Sequence, residues 1–160
     1  MSVQHCYFQT LSTDGFDGDI DVCWEQELSA GSGIRVALWA GSDADLTAAT
    51  LDAFADFLAR LNEADQAARS AIAAYLAEDG EYISLHAEEI EDAAYPQEPA
   101  AFAQAMQLTN IGLWASNPNG GDGEAEPIVM DYNIDPERSD QILAVKIDLG
   151  GKMIGIDWES

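Results

Sequence analysis

Residues 142–158 read ILAVKIDLGGKMIGIDW, and this stretch decides the fold. Its centre, Gly150-Gly151, is typical of a two-residue hairpin turn. That turn pairs Leu149 with Lys152, Ile147 with Ile154, Val145 with Ile156, and Leu143 with Trp158. The large apolar side chains then share one face, and the other face collects Ala144, Lys146, Asp148, Gly155 and Asp157. Because a one-residue shift would destroy this separation, we predict a hairpin with one buried and one polar face.

Two further strands are predicted upstream of this hairpin. They run from Leu108 to Ala115 and from Pro127 to Ile134. A loop rich in Ser, Asn and Gly, 116–123, joins them, and the turn 135–138 leads into the hairpin. The C-terminal half therefore reads as an antiparallel meander.

The middle of the chain has the spacing of amphipathic helices. A first helix is predicted from the apolar residues Leu46, Leu51, Phe54, Phe57, Leu58 and Leu61, and Ser42 to Asp45 resembles its capping box. A second helix is predicted from about Glu63 to Ala77, with Ala68, Ile72, Tyr75 and Leu76 inward. A third runs from Glu81 to about Asp92, with Tyr82, Leu85 and Ile90 inward. A short helical turn is predicted from Pro99 to Met106.

The N-terminal part reads as three strands, Val3 to Gln9, Asp19 to Leu28 and Gly33 to Ala40. In the second strand, alternation predicts that Ile20, Val22, Trp24 and Leu28 share one face. If Asp14-Gly15 forms the turn between the first two strands, Cys6 lies opposite Cys23. A disulfide there is geometrically conceivable but unusual in a reducing cytosol, so we expect two buried thiols.

This element order predicts an α+β fold in a single domain, 1–160. We expect a largely antiparallel sheet of about six to seven strands, with the central helical block packed on one face. Four tryptophans, Trp24, Trp39, Trp114 and Trp158, fall in predicted strands, and core packing is the first expectation for each.

The net charge of the chain limits the kinds of partner that it is expected to bind. The formal net charge is -24 over 160 residues, and no Lys or Arg lies between Arg69 and Arg138, a stretch with fourteen carboxylates. Nucleic acids and anionic membranes are polyanions, so this surface would repel both. Met1 to His5 lacks the features of a signal peptide, and we expect a cytoplasmic protein.

The usual chemical motifs are absent from the sequence. The acidic turn after Asp14 does not fit a calcium-binding loop, and Cys6, Cys23, His5 and His86 have no zinc-site spacing. There is no serine-hydrolase elbow and no phosphate-binding loop. We therefore predict no catalytic, metal-binding or cofactor-binding residues, and no cofactor.

Several stretches resemble those of a known family. They are Leu51 to Leu61, Asp65 to Ala73, Met130 to Tyr132, Ile142 to Val145 and Ile156 to Ser160. In these the chain resembles a small family of uncharacterised bacterial cytosolic proteins with an α+β fold. The resemblance implies no catalytic residues. Acidic α+β proteins of this kind also resemble, at the level of class, the immunity proteins of bacterial toxin systems.

Three functions remain open. The first is non-enzymatic binding of a basic protein, through the candidate residues Glu78, Asp79, Glu81, Glu88, Glu89, Glu91, Asp92 and Trp39. Trp39 is included because it should lie beside Arg35, away from the core, as in a binding hot spot. The second is a housekeeping domain whose acidity only maintains solubility. The third is a divalent-cation-dependent enzyme. A homodimer through an unpaired strand edge is a further expectation.

Overall fold

The computed structural model describes residues 2–16, 19–28, 33–90, 94–118 and 125–160. Within these ranges the elements are, in order, β1 (Val3–His5), β2 (Gln9–Leu11), β3 (Asp21–Glu27), β4 (Arg35–Ala40), α1 (Ala48–Ala59), α2 (Leu61–Glu78), α3 (Glu81–Glu89), α4 (Pro99–Ala105), β5 (Gln107–Trp114), β6 (Ile128–Asn133), β7 (Ile142–Ile147) and β8 (Met153–Glu159). None of the helices described is long and apolar enough to span a membrane.

Six strands form one sheet in the order β3-β4-β5-β6-β7-β8, and β1 pairs with β2 in a separate two-stranded sheet. Neighbouring strands of the large sheet are antiparallel except for β4 and β5, which are parallel. A parallel pair needs a long crossover, and the helical block between β4 and β5 supplies it. The predicted α+β fold with a largely antiparallel sheet is confirmed, and β4 with β5 is its one parallel pair among the described strands.

The core lies between the helices and one face of the sheet. Alternate residues of the central strands are buried there, including Val36, Leu38, Ile111, Leu113, Met130, Tyr132, Leu143 and Val145. From α2, Ala68, Ile72 and Leu76 reach the same core, as predicted, whereas Tyr75 is only partly buried. On α3 the buried residues include Tyr82, Ile83 and His86. The prediction for α3 missed His86 and placed Leu85, which is only partly buried, too far inward.

Helix α1 starts later than its sequence suggests. The Thr47 hydroxyl caps it by accepting a hydrogen bond from the Thr50 amide at 3.2 Å. Ser42, the predicted cap, instead caps a short 3-10 turn at Asp43–Asp45. The capping signal was correct, but it belongs to a separate turn that precedes the helix.

The C-terminal hairpin keeps its predicted register away from the turn. Leu143 pairs with Trp158 and Val145 with Ile156, but Ile147 pairs with Met153 rather than Ile154. The reason is a three-residue loop, 149–151, in which Gly151 has a φ of +85° and the Asp148 carboxylate accepts from the amides of Gly150 and Lys152. Leu149 and Ile154 are therefore exposed. The prediction from a two-residue turn, which placed both on the buried apolar face, is wrong for these two residues.

The predicted pairing of the first two strands is wrong. β1 turns back onto β2, because His5 Nδ1 accepts from the amides of Tyr7 and Phe8 and the Phe8 ring packs edge-on against Trp24. Cys6 is therefore exposed rather than buried opposite Cys23, and both cysteines are free thiols.

β3 contains a bulge that reverses part of its predicted alternation. Val22 pairs with Trp39 and Trp24 with Leu38, so Cys23 is an extra residue between them. Val22 therefore lies on the sheet face of Trp39, whereas Trp24 and Leu28 pack against the core. The prediction that all four apolar residues of this strand share one face is wrong for Val22.

The two thiols should differ sharply in reactivity. Burial raises the pKa of the Cys23 thiol to about 11, and its Sγ lies 3.5 Å from the Leu38 carbonyl oxygen. Because the thiolate is the reactive form, we expect maleimide to label Cys6 rapidly and Cys23 very slowly in the folded protein. Mass spectrometry of Cys6→Ser and Cys23→Ser variants measures this. Equal labelling of the two would contradict the protection expected from the partly buried position of Cys23.

Candidate functional site

The sheet face opposite the helices carries the most distinctive group of side chains. We call it the open face, and a cleft of about 330 Å³ lies on it. The cleft is lined by Trp39, Asn110, Gly112, Trp114, Pro118, Glu126, Val129, Asp131, Lys146 and Glu159. Because side chains alternate along a strand, the lining residues that belong to strands are the neighbours of the core-facing ones, whereas Pro118 and Glu126 lie in the β5–β6 connection. The pattern that builds the core therefore also builds this cleft.

Two tryptophans stack on the open face. Trp39 of β4 and Trp114 of β5 are partners in the parallel register. Their ring centroids are 4.8 Å apart and the planes differ by 10°. A Cβ at Gly112 would lie 2.9 Å from Trp114 Nε1, so glycine leaves room for the indole to lie back along its own strand. We call the stacked pair the tryptophan shelf.

Carboxylates surround a single ammonium beside this shelf. Lys146 Nζ lies 3.2 Å from Glu159, 3.4 Å from Glu126 and 3.9 Å from Asp157. The Lys146 side chain is only 13% exposed. Burial acts to lower the pKa of Lys146, but its contacts with Glu159 and Glu126 outweigh burial and raise that pKa. The ammonium stays charged, and acidic groups still outnumber it.

Asp131 is a partly buried acid of the cleft. Asn110 Nδ2 donates to its carboxylate at 3.3 Å. Burial raises the pKa of Asp131 and the charge of Glu159 adds to the rise, whereas the hydrogen bond from Asn110 and the charge of Lys146 oppose it. A carboxylate held in such a position destabilises the fold once it is ionised.

Replacing Asp131 with Asn should therefore stabilise the protein at neutral pH. Below the unfolded-state pKa both states hold the proton, and nothing is lost. As the pH rises through the higher folded-state pKa, the wild-type protein loses stability that Asp131→Asn keeps. We expect the Tm of Asp131→Asn to exceed that of wild type at pH 7 and the two to converge near pH 4. Asp157→Asn, at an exposed position, is the control, and a lower Tm for Asp131→Asn at pH 7 would contradict the prediction.

The predicted acidic candidates lie elsewhere. Glu78, Asp79 and Glu81 are exposed at the junction of α2 and α3, and Glu88 and Glu89 are exposed in the last turn of α3. Glu91 and Asp92 fall outside the described residues. These acids belong to the helical layer, whereas Trp39 lies across the sheet from it. The predicted candidates thus form an acidic helical surface and a separate aromatic one.

The position of Trp39 in the structure agrees only in part with the sequence-based prediction. It lies on the face away from the core, but it is partly buried against Trp114, and Arg35 forms an ion pair with Glu25. Trp114 was expected in the core, and Asp131 and Lys146 were not singled out. Alternation within Gln107–Trp114 was the available signal, because Ile111 and Leu113 are apolar at the positions between Asn110, Gly112 and Trp114.

His86 forms a second buried polar group. Its Nδ1 lies 2.7 Å from the Tyr82 carbonyl oxygen and its Nε2 lies 2.7 Å from the Ser139 hydroxyl. Because a carbonyl only accepts, Nδ1 carries the proton, and Nε2 accepts from Ser139. The Ser139 hydroxyl also accepts from the Gln141 amide at 3.1 Å. The bond between His86 and Ser139 joins α3 to the connection between β6 and β7, and the other two bonds hold its ends in place.

No family model, curated protein or solved structure matches this chain. Within the ranges that the structure describes, no group of three or more His, Cys, Asp or Glu is placed to hold a metal ion.

Proposed function

We propose that this is a non-enzymatic binding protein whose acidic surface binds a basic protein, as an immunity protein blocks a basic toxin. The observation that supports the proposal is that nearly all of the few Lys and Arg side chains lie close to a carboxylate. Of six Lys and Arg residues against thirty Asp and Glu, five have a carboxylate within 4 Å. These five are Arg35, Arg60, Arg69, Arg138 and Lys146.

Such a surface presents a potential of one sign to its surroundings. A field of that kind steers oppositely charged partners into contact and repels nucleic acids and anionic lipids. It acts through solvent, so its effect weakens as salt shortens the Debye length. Steep salt dependence is therefore the expected signature of partner binding.

The exposed acids of α2 and α3 are the proposed first contact. Glu78, Asp79 and Glu81 cluster where the two helices meet, and Glu88 and Glu89 follow at the far end of α3. We propose the bacterial cytoplasm as the site of action.

The test is affinity capture at low ionic strength, followed by reconstitution with the purified partner. We expect a partner with an isoelectric point well above neutral, bound in a defined stoichiometry. Titration calorimetry should show the affinity falling as salt is added. A captured partner that is acidic, or whose affinity is unaffected by salt, would contradict the proposal.

Matched variants separate a partner-binding surface from general acidity. The test variant replaces Glu81, Glu88 and Glu89 with Gln, and the control variant changes Asp19 to Asn and Glu63 and Glu137 to Gln. All six positions are exposed, and Glu81 and Glu63 each lie in the first turn of a helix. We expect the test variant to bind the partner more weakly than the control does. Equal loss in both would assign binding to the overall acidity of the surface rather than to this patch, and no loss in either would support acidity that only maintains solubility.

A further inference from the structure

The tryptophan shelf is an aromatic surface with acidic surroundings. We propose that it is the docking site for an arginine-bearing segment of the basic partner. This inference rests on the proposed function and assigns it a second contact, on the open face of the sheet.

The aromatic part of the site is preformed. Trp39 and Trp114 are held parallel by their own contact and by the paired strands beneath them. Gly112 leaves room for the Trp114 indole, so the ring lies over the sheet. A ring fixed in this way loses little side-chain entropy when it receives a ligand.

The charge of the cleft is complementary to a cation. Glu126, Asp131 and Glu159 line it together with one ammonium, that of Lys146. Three carboxylates against one ammonium leave a negative excess beside the indole rings. A second cationic group that entered the cleft would contact the indole rings and would also be attracted by the carboxylate charge that Lys146 does not neutralise.

Arginine matches this combination better than lysine does. Its guanidinium is planar, so it can stack on an indole while its edge donates paired hydrogen bonds to a carboxylate. A lysine ammonium is a compact, strongly hydrated charge and has no flat surface to stack. The shelf should therefore distinguish two side chains that the general acidic field treats alike.

The first experiment uses oligoarginine and oligolysine peptides of equal length, titrated into the folded protein by calorimetry at moderate salt. We expect oligoarginine to bind wild type more tightly. Trp114→Leu should weaken oligoarginine binding by roughly tenfold and change oligolysine binding little. Asp131→Asn, which should fold at least as well as wild type, should also weaken oligoarginine binding. The Glu81, Glu88 and Glu89 triple variant should keep the preference for arginine.

Three outcomes would overturn the inference. One is equal affinity for the two peptides, and another is oligoarginine binding that neither Trp114→Leu nor Asp131→Asn weakens. The third is a wild-type dimer that Trp114→Leu converts to a monomer, because a second copy of the chain would then occupy the shelf. Light scattering distinguishes that case.

The two proposals fail separately. If the natural partner is basic and salt-sensitive but indifferent to Trp114→Leu and Asp131→Asn, the docking site is wrong and the proposed function stands. If no basic partner is found while the peptides still show the Trp114-dependent arginine preference, the proposed function is wrong and the shelf remains an arginine site.

Discussion

Replacing Arg69 with Met is expected to lower the free energy of unfolding by about 3–5 kcal/mol, the usual cost of breaking a largely buried ion pair. Arg69 Nε lies 3.1 Å from both oxygens of Asp65, and the Arg69 side chain is only 14% exposed. The Asp65 carboxylate also accepts from the Tyr132 hydroxyl at 2.5 Å. Met keeps the length of the stem but leaves Asp65 without its positive partner.

The Arg69 side chain also caps the C-terminal end of α4. Its Nη1 donates to the carbonyl oxygens of Ala103, Gln104 and Met106 at 2.9, 3.2 and 2.6 Å. The last carbonyls of a helix lack intrahelical partners, and here one guanidinium satisfies three acceptors. Its carbon lies 5.2 Å from the centroid of the Tyr132 ring. The substitution therefore loosens α2, α4 and β6 together.

Chemical denaturation and thermal unfolding measure the loss, with a fall in Tm of roughly 10 °C expected for a chain of this size. Arg60→Met is the matched control, because Arg60 pairs with Asp56 at 3.4 Å with both side chains more than 60% exposed. We expect that change to cost less than about 1 kcal/mol. If the two variants were equally stable, the buried bonds of Arg69 would contribute no more than a surface pair.

His86→Ala is expected to cost about 2–4 kcal/mol, from a lost buried ring and two lost hydrogen bonds. The imidazole is 2% exposed and its ring centroid lies 4.3 Å from that of Tyr82. Without it the Ser139 hydroxyl loses its acceptor, and of these contacts between α3 and the β6–β7 connection only the bond from the Tyr82 hydroxyl to the Gln141 carbonyl oxygen remains.

A double-mutant cycle with Ser139→Ala isolates the bond between the two residues. We expect the double variant to be less destabilised than the sum of the single variants, by about 1 kcal/mol. Ser84→Ala, at an exposed position on the same helix, controls for α3 itself and should cost nothing. Strictly additive single effects would show that the 2.7 Å contact carries no energy.

The local elements could be predicted from the sequence because their signals are local. The spacing of Ala68, Ile72 and Leu76 indicates a helix with one buried face, and these residues are buried on α2. The pairing of Leu143 with Trp158 follows from alternation over several residues. It failed near the turn because the Gly-Gly pair suits either a two-residue or a three-residue loop, and the Asp148 carboxylate favours the longer one.

The first strand pairing depended on a contact that no local pattern contains. Asp14-Gly15 is a good turn signal, yet His5 Nδ1 closes an earlier turn and Phe8 reaches Trp24. The parallel pairing of β4 with β5 likewise depends on how the whole helical block packs. Such contacts are tertiary, and they outweigh local preference.

The open-face cleft could be predicted only in pieces. Lys146 and Asp157 were placed on the polar face of the hairpin, and Trp39 on the face away from the core. Bringing them beside Trp114 and Asp131 requires the order of the strands in the sheet. That order joins residues more than a hundred positions apart, and alternation within single strands does not specify it.

Both outermost strands of the large sheet carry a bulge, at Cys23 in β3 and at Ile154 in β8. Each also bears carboxylates, such as Glu25 and Asp157. An irregular, negatively charged edge strand is a poor template for another strand. The two edges of the sheet should therefore resist the strand pairing between molecules that builds fibres. Because this resistance depends partly on ionised carboxylates, acidification should weaken it and favour amyloid-like assembly. Thioflavin fluorescence would report such assembly.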